Sequence, residues 1–241
     1  MTTLILLRHG RSTANTAGVL AGRTPGVELD ERGREQADKV VERLASLPIA
    51  EIVTSPMTRC TQTVAPLAAA RGLRPVVEDG LAEVDYGSWT GCKISDLGKE
   101  DLWRVVQAHP SAAVFPDGEG LADMQTRSVA AVRRHTARIT AAYGKDAIFL
   151  ACSHGDVIKA VLADALACHL DNFQRIVVDT CSVSVVQYTQ LRPFVARMNE
   201  QSGDVASLVP PEPKPEEAGS DGETADVPRS SDAVVGGATN A

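Results

Sequence analysis

Apolar residues in this chain gather in short runs separated by stretches of helical spacing. LILL near the amino terminus and DAIFLACS much later are each too short for a buried helix and close on polar residues, so both read as buried strands. In DERGREQADKVVERLASL, Ala37, Val40, Val41, Leu44 and Leu47 repeat on one helical face, with Asp30 placed to cap the helix and Pro48 to end it. AEIVTS follows as a second strand. PMTRCTQTVAPLAAARG then reads as a helix with Pro56 in its first turn and Gly72 at its end, while Pro66 should cost a hydrogen bond or produce a kink. RPVVED is a third strand. The middle is less regular: LAEVDYGSWTGCKISDL is loop-rich, DLWRVVQAHP is a short helix closed by Pro110, and FPDGEG leads into the long helix LADMQTRSVAAVRRHTARITAAYG. DVIKAVLADAL is a further helix after His154 and Gly155, and CSVSVVQYTQ with RPFVARMN reads as an edge hairpin. Strand, helix, strand, helix, strand in that order predicts a layered α/β sheet with helices on both faces.

Composition divides the 241 residues into two parts. From Gln201 to Ala241 there are five prolines, no aromatic residue and eight acidic residues against two basic ones, which is a net charge of -6 out of -7 for the chain. Such a segment cannot bury enough apolar surface to offset the entropy of ordering it. The expectation is one domain over residues 1–200 and a disordered acidic tail over 201–241. No basic stripe interleaved with aromatic residues is present, which argues against a nucleic-acid partner. The first apolar run stops at Arg8 without a basic segment before it, so no signal peptide or membrane span is read. Cys60, Cys92, Cys152, Cys168 and Cys181 are scattered without a CxxC pair, and free thiols in the cytoplasm are expected. The hairpin after Cys181 leaves an edge that the second subunit of a homodimer would cover.

Candidate chemistry sits at two strand ends. LILLRHG and IFLACSHG each close an apolar strand with a histidine followed by glycine, and in open α/β sheets sites form outside the carboxyl ends of strands. His9 and His154 would therefore meet there. Either histidine alone could equally be a packed core residue or a helix cap. Arg8 sits beside His9, and Arg59 starts the helix after AEIVTS; guanidinium forks beside free helix N–H groups suit phosphate oxygens. Two arginines with two histidines make an anion-seeking pocket even in an acidic protein. His109, His135 and His169 lack ligand spacing, His135 in RRH is expected to face water, and no metal is read. No dinucleotide fingerprint or Walker motif is present, and neither Cys60 nor Cys152 has the arginine of a cysteine-phosphatase loop.

RHGRSTANTAG resembles the RHG signature of the histidine phosphatase superfamily, the phosphoglycerate-mutase-like family. Leu29, Gly33, Gln36 and Ala37 in LDERGREQA resemble its next segment, SPMTRCTQT its second arginine block, LAEVDYGSWTG its glutamate block, and SHG its second histidine. The resemblance spans most of the first 200 residues. It implies a three-layer α/β/α sandwich around a mostly parallel sheet, a phosphomonoester substrate and no cofactor. It also implies that His9 is the nucleophile, flanked by Arg8, with Arg59 a second phosphate clamp and His154 the other imidazole. Asn15 matches a loop asparagine lining the phosphate, and Glu83 the acid that protonates the leaving oxygen. Arg11, Thr90 and Gly120 depart from the family pattern, and Glu119 and Arg127 are named only as pocket neighbours.

That chemistry sets its own demands. A histidine nucleophile must be neutral at the attacking nitrogen, so its other nitrogen should donate to an acceptor such as a backbone carbonyl. Loss of one donor to the phosphoryl oxygens should remove about 3 kcal/mol of transition-state stabilisation. Glu83 can act as acid only if its pKa is raised, and Asp85, two residues on, could share the role or be a surface carboxylate. Arg23 could reach a distal anion of the substrate or face solvent. Trp89 is read as core, and the segment from Ser95 to Glu119 as a modest lid whose cations are Lys93 beside it, Lys99 and Arg104. That is little positive charge for a bisphosphorylated intermediate, which favours hydrolysis over a mutase reaction; a non-catalytic phospholigand module is the third alternative.

Overall fold

The computed structural model describes residues 1–201, so the expected tail lies outside the described residues apart from Gln201. Six strands form one sheet: β1 (Thr2–Arg8), β2 (Ile49–Thr54), β3 (Val76–Val77), β4 (Ile148–Ser153), β5 (Val183–Tyr188) and β6 (Pro193–Glu200). Their order is β3-β2-β4-β1-β5-β6. The first four are mutually parallel, and β5 and β6 run antiparallel at one side.

Helices α2 (Glu31–Arg43) and α3 (Thr58–Arg71) cover one face; α6 (Leu121–Tyr143) and α7 (Gly155–Ala165) cover the other. The LILL run is continuous because both faces are buried. Leu4 and Leu6 join the core under α6 and α7, whereas Ile5 and Leu7 join the core under α2 and α3. Burying each of these side chains contributes about 2 kcal/mol. Phe149 and Ala151 against Leu150 and Cys152 divide β4 in the same way.

The short helices α1 (Thr13–Ala17), α4 (Ile94–Leu97) and α5 (Asp101–Ala108) lie in the connections. In α2, Asp30 caps the helix by accepting from the Gly33 N–H at 2.7 Å. This helix ends at Arg43, before Pro48, because Arg71 donates to the Leu44 and Ala45 carbonyls at 2.7 and 2.6 Å and so satisfies acceptors that another turn would have used. α3 runs through Pro66, held by the buried side chains of Cys60, Val64 and Leu67.

RPVVED yields only the two-residue β3. It lies at the sheet edge with both valines exposed, and Glu78 turns the chain away by accepting from the Gly80 N–H at 2.8 Å. His135 does not face water. It is buried on α6, with Nε2 2.8 Å from Glu78 and Nδ1 3.0 Å from Arg138, because the charged face of α6 folds over the end of β3. Trp89 is core, stacked on Trp103 and edge-on to Phe115. The segment expected as a lid buries Leu97, Val106 and Phe115 against that core. Among the described residues no helix is long and apolar enough to cross a membrane.

Candidate active site

β1 and β4 are parallel neighbours with Arg8 opposite Ser153, so His9 and His154 each stand one residue beyond adjacent strand ends. The His9 N–H donates to the Ser153 carbonyl at 3.0 Å, and the two imidazole centroids are 5.2 Å apart. His9 Nδ1 lies 2.7 Å from the Gly10 carbonyl, which requires the proton on Nδ1. Nε2 therefore carries the lone pair, and it accepts from Arg59 Nε at 3.3 Å. Arg59, in the first turn of α3, also donates Nη2 to the Gly22 carbonyl at 2.9 Å and to His154 Nδ1 at 3.1 Å. With Nδ1 of His154 an acceptor, its Nε2–H donates to Ser55 Oγ at 2.8 Å. Arg59 Nη1 is buried and has no acceptor among the described residues.

Both imidazoles are held neutral. Burial, then the charges of Arg59 and Arg8, keep His9 well below the usual histidine range; burial, Arg59 and His9 do the same for His154. Arg8 is buried beside them, with Nη1 on the Val178 carbonyl at 2.8 Å. Burial lowers its pKa below the usual arginine range, partly offset by the nearby carboxylates of Glu83, Asp179 and Asp156.

Glu83 completes the group. It is 4% exposed, accepts from the Val84 N–H at 2.9 Å, and places Oε2 3.7 Å from His154 Nδ1. Burial first, then the charge of Asp156, raises its pKa to about 7 against the opposing pull of Arg59 and Arg8. Asp156 is buried in the first turn of α7, where it accepts from Tyr86 Oη at 2.9 Å and lies 3.5 Å from Lys159. The Glu83 segment is clamped from outside by Arg127, which donates to the carbonyls of Gly80, Ala82 and Glu83 at 2.9, 2.8 and 3.1 Å. Glu119 orients Arg127 by accepting from its Nε and Nη2 at 2.9 and 2.6 Å.

Asn15 is drawn into the cap of α1, its Oδ1 accepting from the Ser12 N–H at 3.0 Å and Oγ at 2.8 Å. Arg23 does not simply face solvent: Nε donates to the Glu83 carbonyl at 2.8 Å and Nη2 to Glu119 at 2.9 Å. Asp85 is 43% exposed while Glu83 is buried, so the two carboxylates do not share an environment. A cleft of about 460 Å³ on the outer side of α2, lined by Gln36, Lys39, Arg43 and Thr180 among others, includes neither histidine. The buried cluster around the two histidines is separate from that cleft.

Sequence reasoning missed Ser55, Thr63 and Asp156. Ser55 follows β2 at the same sheet edge, so the strand-end rule that marked the histidines could have marked it. Thr63 Oγ1 accepts from the Gly10 N–H at 2.9 Å across 53 residues of chain, and Asp156 supports Glu83 through space; neither leaves a local signal.

The model of the histidine phosphatase superfamily, branch 1, matches residues 4–201. Phosphoserine phosphatase 1 of Hydrogenobacter thermophilus is 28% identical over 202 residues, which is 83% of this chain and 92% of that protein. The probable phosphoglycerate mutase GpmB of Proteus mirabilis is 29% identical over 86% of this chain and 95% of its own length. The structure of the mycobacterial glucosyl-3-phosphoglycerate phosphatase Rv2419c in complex with VO3 superposes with a TM-score of 0.74 at 25% identity, covering 83% of this chain and 99% of that one. With the family model spanning all but the first three of the described residues, the chain belongs to the histidine phosphatase superfamily, branch 1.

Proposed function

We propose that the protein hydrolyses small-molecule phosphomonoesters through a phosphohistidine at His9. The observation that carries this reading is the unprotonated Nε2 of His9, fixed by the Gly10 carbonyl and turned toward Arg59 and His154. The buried Nη1 of Arg59, which lacks an acceptor, supports an anion at that point. In the first step Nε2 of His9 forms a bond to phosphorus as the ester P–O bond breaks. Arg8 and Arg59 take up charge on the equatorial oxygens, joined by His154 when its Nδ1 carries a proton, and Asn15 lines the phosphate site. Glu83 gives its proton to the departing alkoxide; the carboxylate so formed then takes a proton from the water that attacks phosphohistidine, the P–N bond breaks with its electron pair returning to Nε2, and inorganic phosphate leaves. A raised pKa of about 7 suits both halves of that exchange.

Free thiols at all five cysteines support a reducing compartment such as the cytoplasm, and the side of β6 without a strand partner among the described residues is the edge a second copy would pair with. The test is phosphate release from a panel of phosphomonoesters, together with alkaline quench of a radiolabelled reaction. Label should remain on the protein as base-stable, acid-labile phosphohistidine, and His9→Ala should abolish both label and release. Hydrolysis that survives His9→Ala would overturn the proposal. A mutase reaction is the second reading, favoured by the likeness to a probable phosphoglycerate mutase; transfer from bisphosphoglycerate to phosphoglycerate faster than hydrolysis would establish it.

A further inference from the structure

Two turns far apart in the chain pack backbone to backbone beside the acid. A Cβ at Gly118 would come 2.3 Å from the Asp85 carbonyl, and one at Gly87 would come 1.9 Å from the Pro116 carbonyl. The turn 116–118 therefore lies directly on the segment that follows Glu83. Glu119 grips that segment twice: its N–H donates to the Asp85 carbonyl at 2.9 Å, and its Oε1 accepts from the Asp85 N–H at 2.8 Å.

The same carboxylate gathers two cations. Oε1 of Glu119 also accepts from Arg23 Nη2 at 2.9 Å and from Arg127 Nη2 at 2.6 Å, and Oε2 accepts from Arg127 Nε at 2.9 Å. Held in this way, both guanidinium groups donate to one atom, the Glu83 carbonyl oxygen, at 2.8 Å from Arg23 and 3.1 Å from Arg127. Burial opposes ionisation of Glu119, but its bonds from Arg127 and the Asp85 N–H and the charges of both arginines hold it below the usual carboxylate range. Asp85 Oδ2, 3.8 Å from Arg23 Nη1, supplies a second negative charge. Two cations and two anions cancel, so the backbone of the acid is fixed without net charge beside a carboxyl that must keep its proton.

Resting on the hydrolysis reading above, we infer that Glu119 is a positioning residue for the acid: it locks Arg23 and Arg127 onto the Glu83 carbonyl and cancels their charge there. The other groups facing Glu83 are Arg8 from β1, Arg59 from α3, His154 at the end of β4 and Asp156 from α7, with Tyr86 and Lys159 behind Asp156. Removing the Glu119 charge adds a net positive charge to that set. A positive charge favours the carboxylate over the carboxylic acid, so Glu83 then gives up its proton at lower pH. An alkoxide leaving group feels that loss in full, whereas a nitrophenolate departs without a proton.

Two variants of the full chain test this. Glu119→Gln keeps the shape and removes the charge, and is read by kcat/KM against pH for an alkyl phosphate and for p-nitrophenyl phosphate. The alkaline limb for the alkyl ester should move down by up to about one pH unit. That ester should then fall by up to about tenfold relative to the nitrophenyl ester above neutral pH. Damage to the fold lowers both esters alike and leaves the limb in place. Glu119→Ala removes the acceptor, and amide hydrogen exchange without substrate should quicken by about tenfold at the Asp85 N–H. A common loss with an unmoved limb, or unaltered exchange at Asp85, would overturn the positioning role. Absence of His9-dependent release from both esters in the native protein would instead overturn the hydrolysis reading, and the exchange at Asp85 then decides the clamp by itself.

Discussion

At the scale of single residues the site works by setting protonation against burial. His9 and His154 are neutral because desolvation and Arg59 oppose a further positive charge, while Glu83 keeps its proton because desolvation and Asp156 oppose a negative one. Groups that would all be ionised in mildly acidic water are held together as neutral partners around two guanidinium ions. The groups facing Glu83 are Arg8 from β1, Arg59 from α3, His154 at the end of β4 and Asp156 from α7. On the proposed mechanism the free enzyme needs protonated Glu83, so kcat/KM should fall as pH rises through about 7. Asp156→Asn removes the charge that helps hold that proton. The alkaline limb should then move to lower pH by up to about one unit, read from full pH profiles on an alkyl phosphate. A variant with lower activity but an unmoved limb would mean that Asp156 only supports the fold. His154 and Asp156 flank Gly155, so one strand-to-helix turn delivers an imidazole and the charge that tunes its neighbour.

Among the elements, the contact between α2 and the loop after β1 decides where His9 stands. Gly33 lies in the first turn of α2, and a Cβ built there would come 1.9 Å from the Arg11 carbonyl; one at Gly10 would come 2.7 Å from the Gly33 carbonyl. Two backbones therefore touch directly beside His9. Gly33→Ala should force them apart, costing about 2 kcal/mol in urea unfolding and lowering kcat by more than the loss of folded protein explains. A variant of native stability and activity would show that the helix yields without moving the loop. This contact also marks what could be read from the chain. Asp30 and Gly72 were legible as caps because capping is local chemistry, and the strands ending in RHG and SHG because their apolar runs are dense. RPVVED was legible as the third strand but not its shortening to two residues, because β propensity cannot say whether a layer will cover the strand. His135 failed because its partner, Glu78, is 57 residues away. Arg23 and Asp85 were visible as charges, but their facing arrangement arises only when the first loop meets the Glu83 segment.

For the whole molecule the same burial that prepares the site shapes stability against pH. On unfolding below pH 6.5, His9 and His154 gain protons that their folded states refuse, so their contribution is lost as pH falls. Glu83 works in the other sense: its folded pKa of about 7 exceeds the ordinary carboxyl value of 4.5, so its contribution is present at low pH and is lost as pH rises from 4.5 through about 7. Below 6.5 the two histidines make stability rise with pH, while between 4.5 and about 7 Glu83 makes it fall, so the groups oppose each other. Urea unfolding at several pH values measures the net slope, and His154→Asn should make stability rise less steeply with pH. A slope unchanged in that variant would show that His154 takes up its proton in the folded state. The pairing of β1 with β4 has a consequence for how such a protein can diversify. Because hydrogen bonds between neighbouring strands set the gap between the imidazoles, that gap belongs to the scaffold and survives changes made elsewhere. Arg23 and Asp85 come from loops outside that ladder, so changes there leave the strand pairing that spaces the two imidazoles untouched.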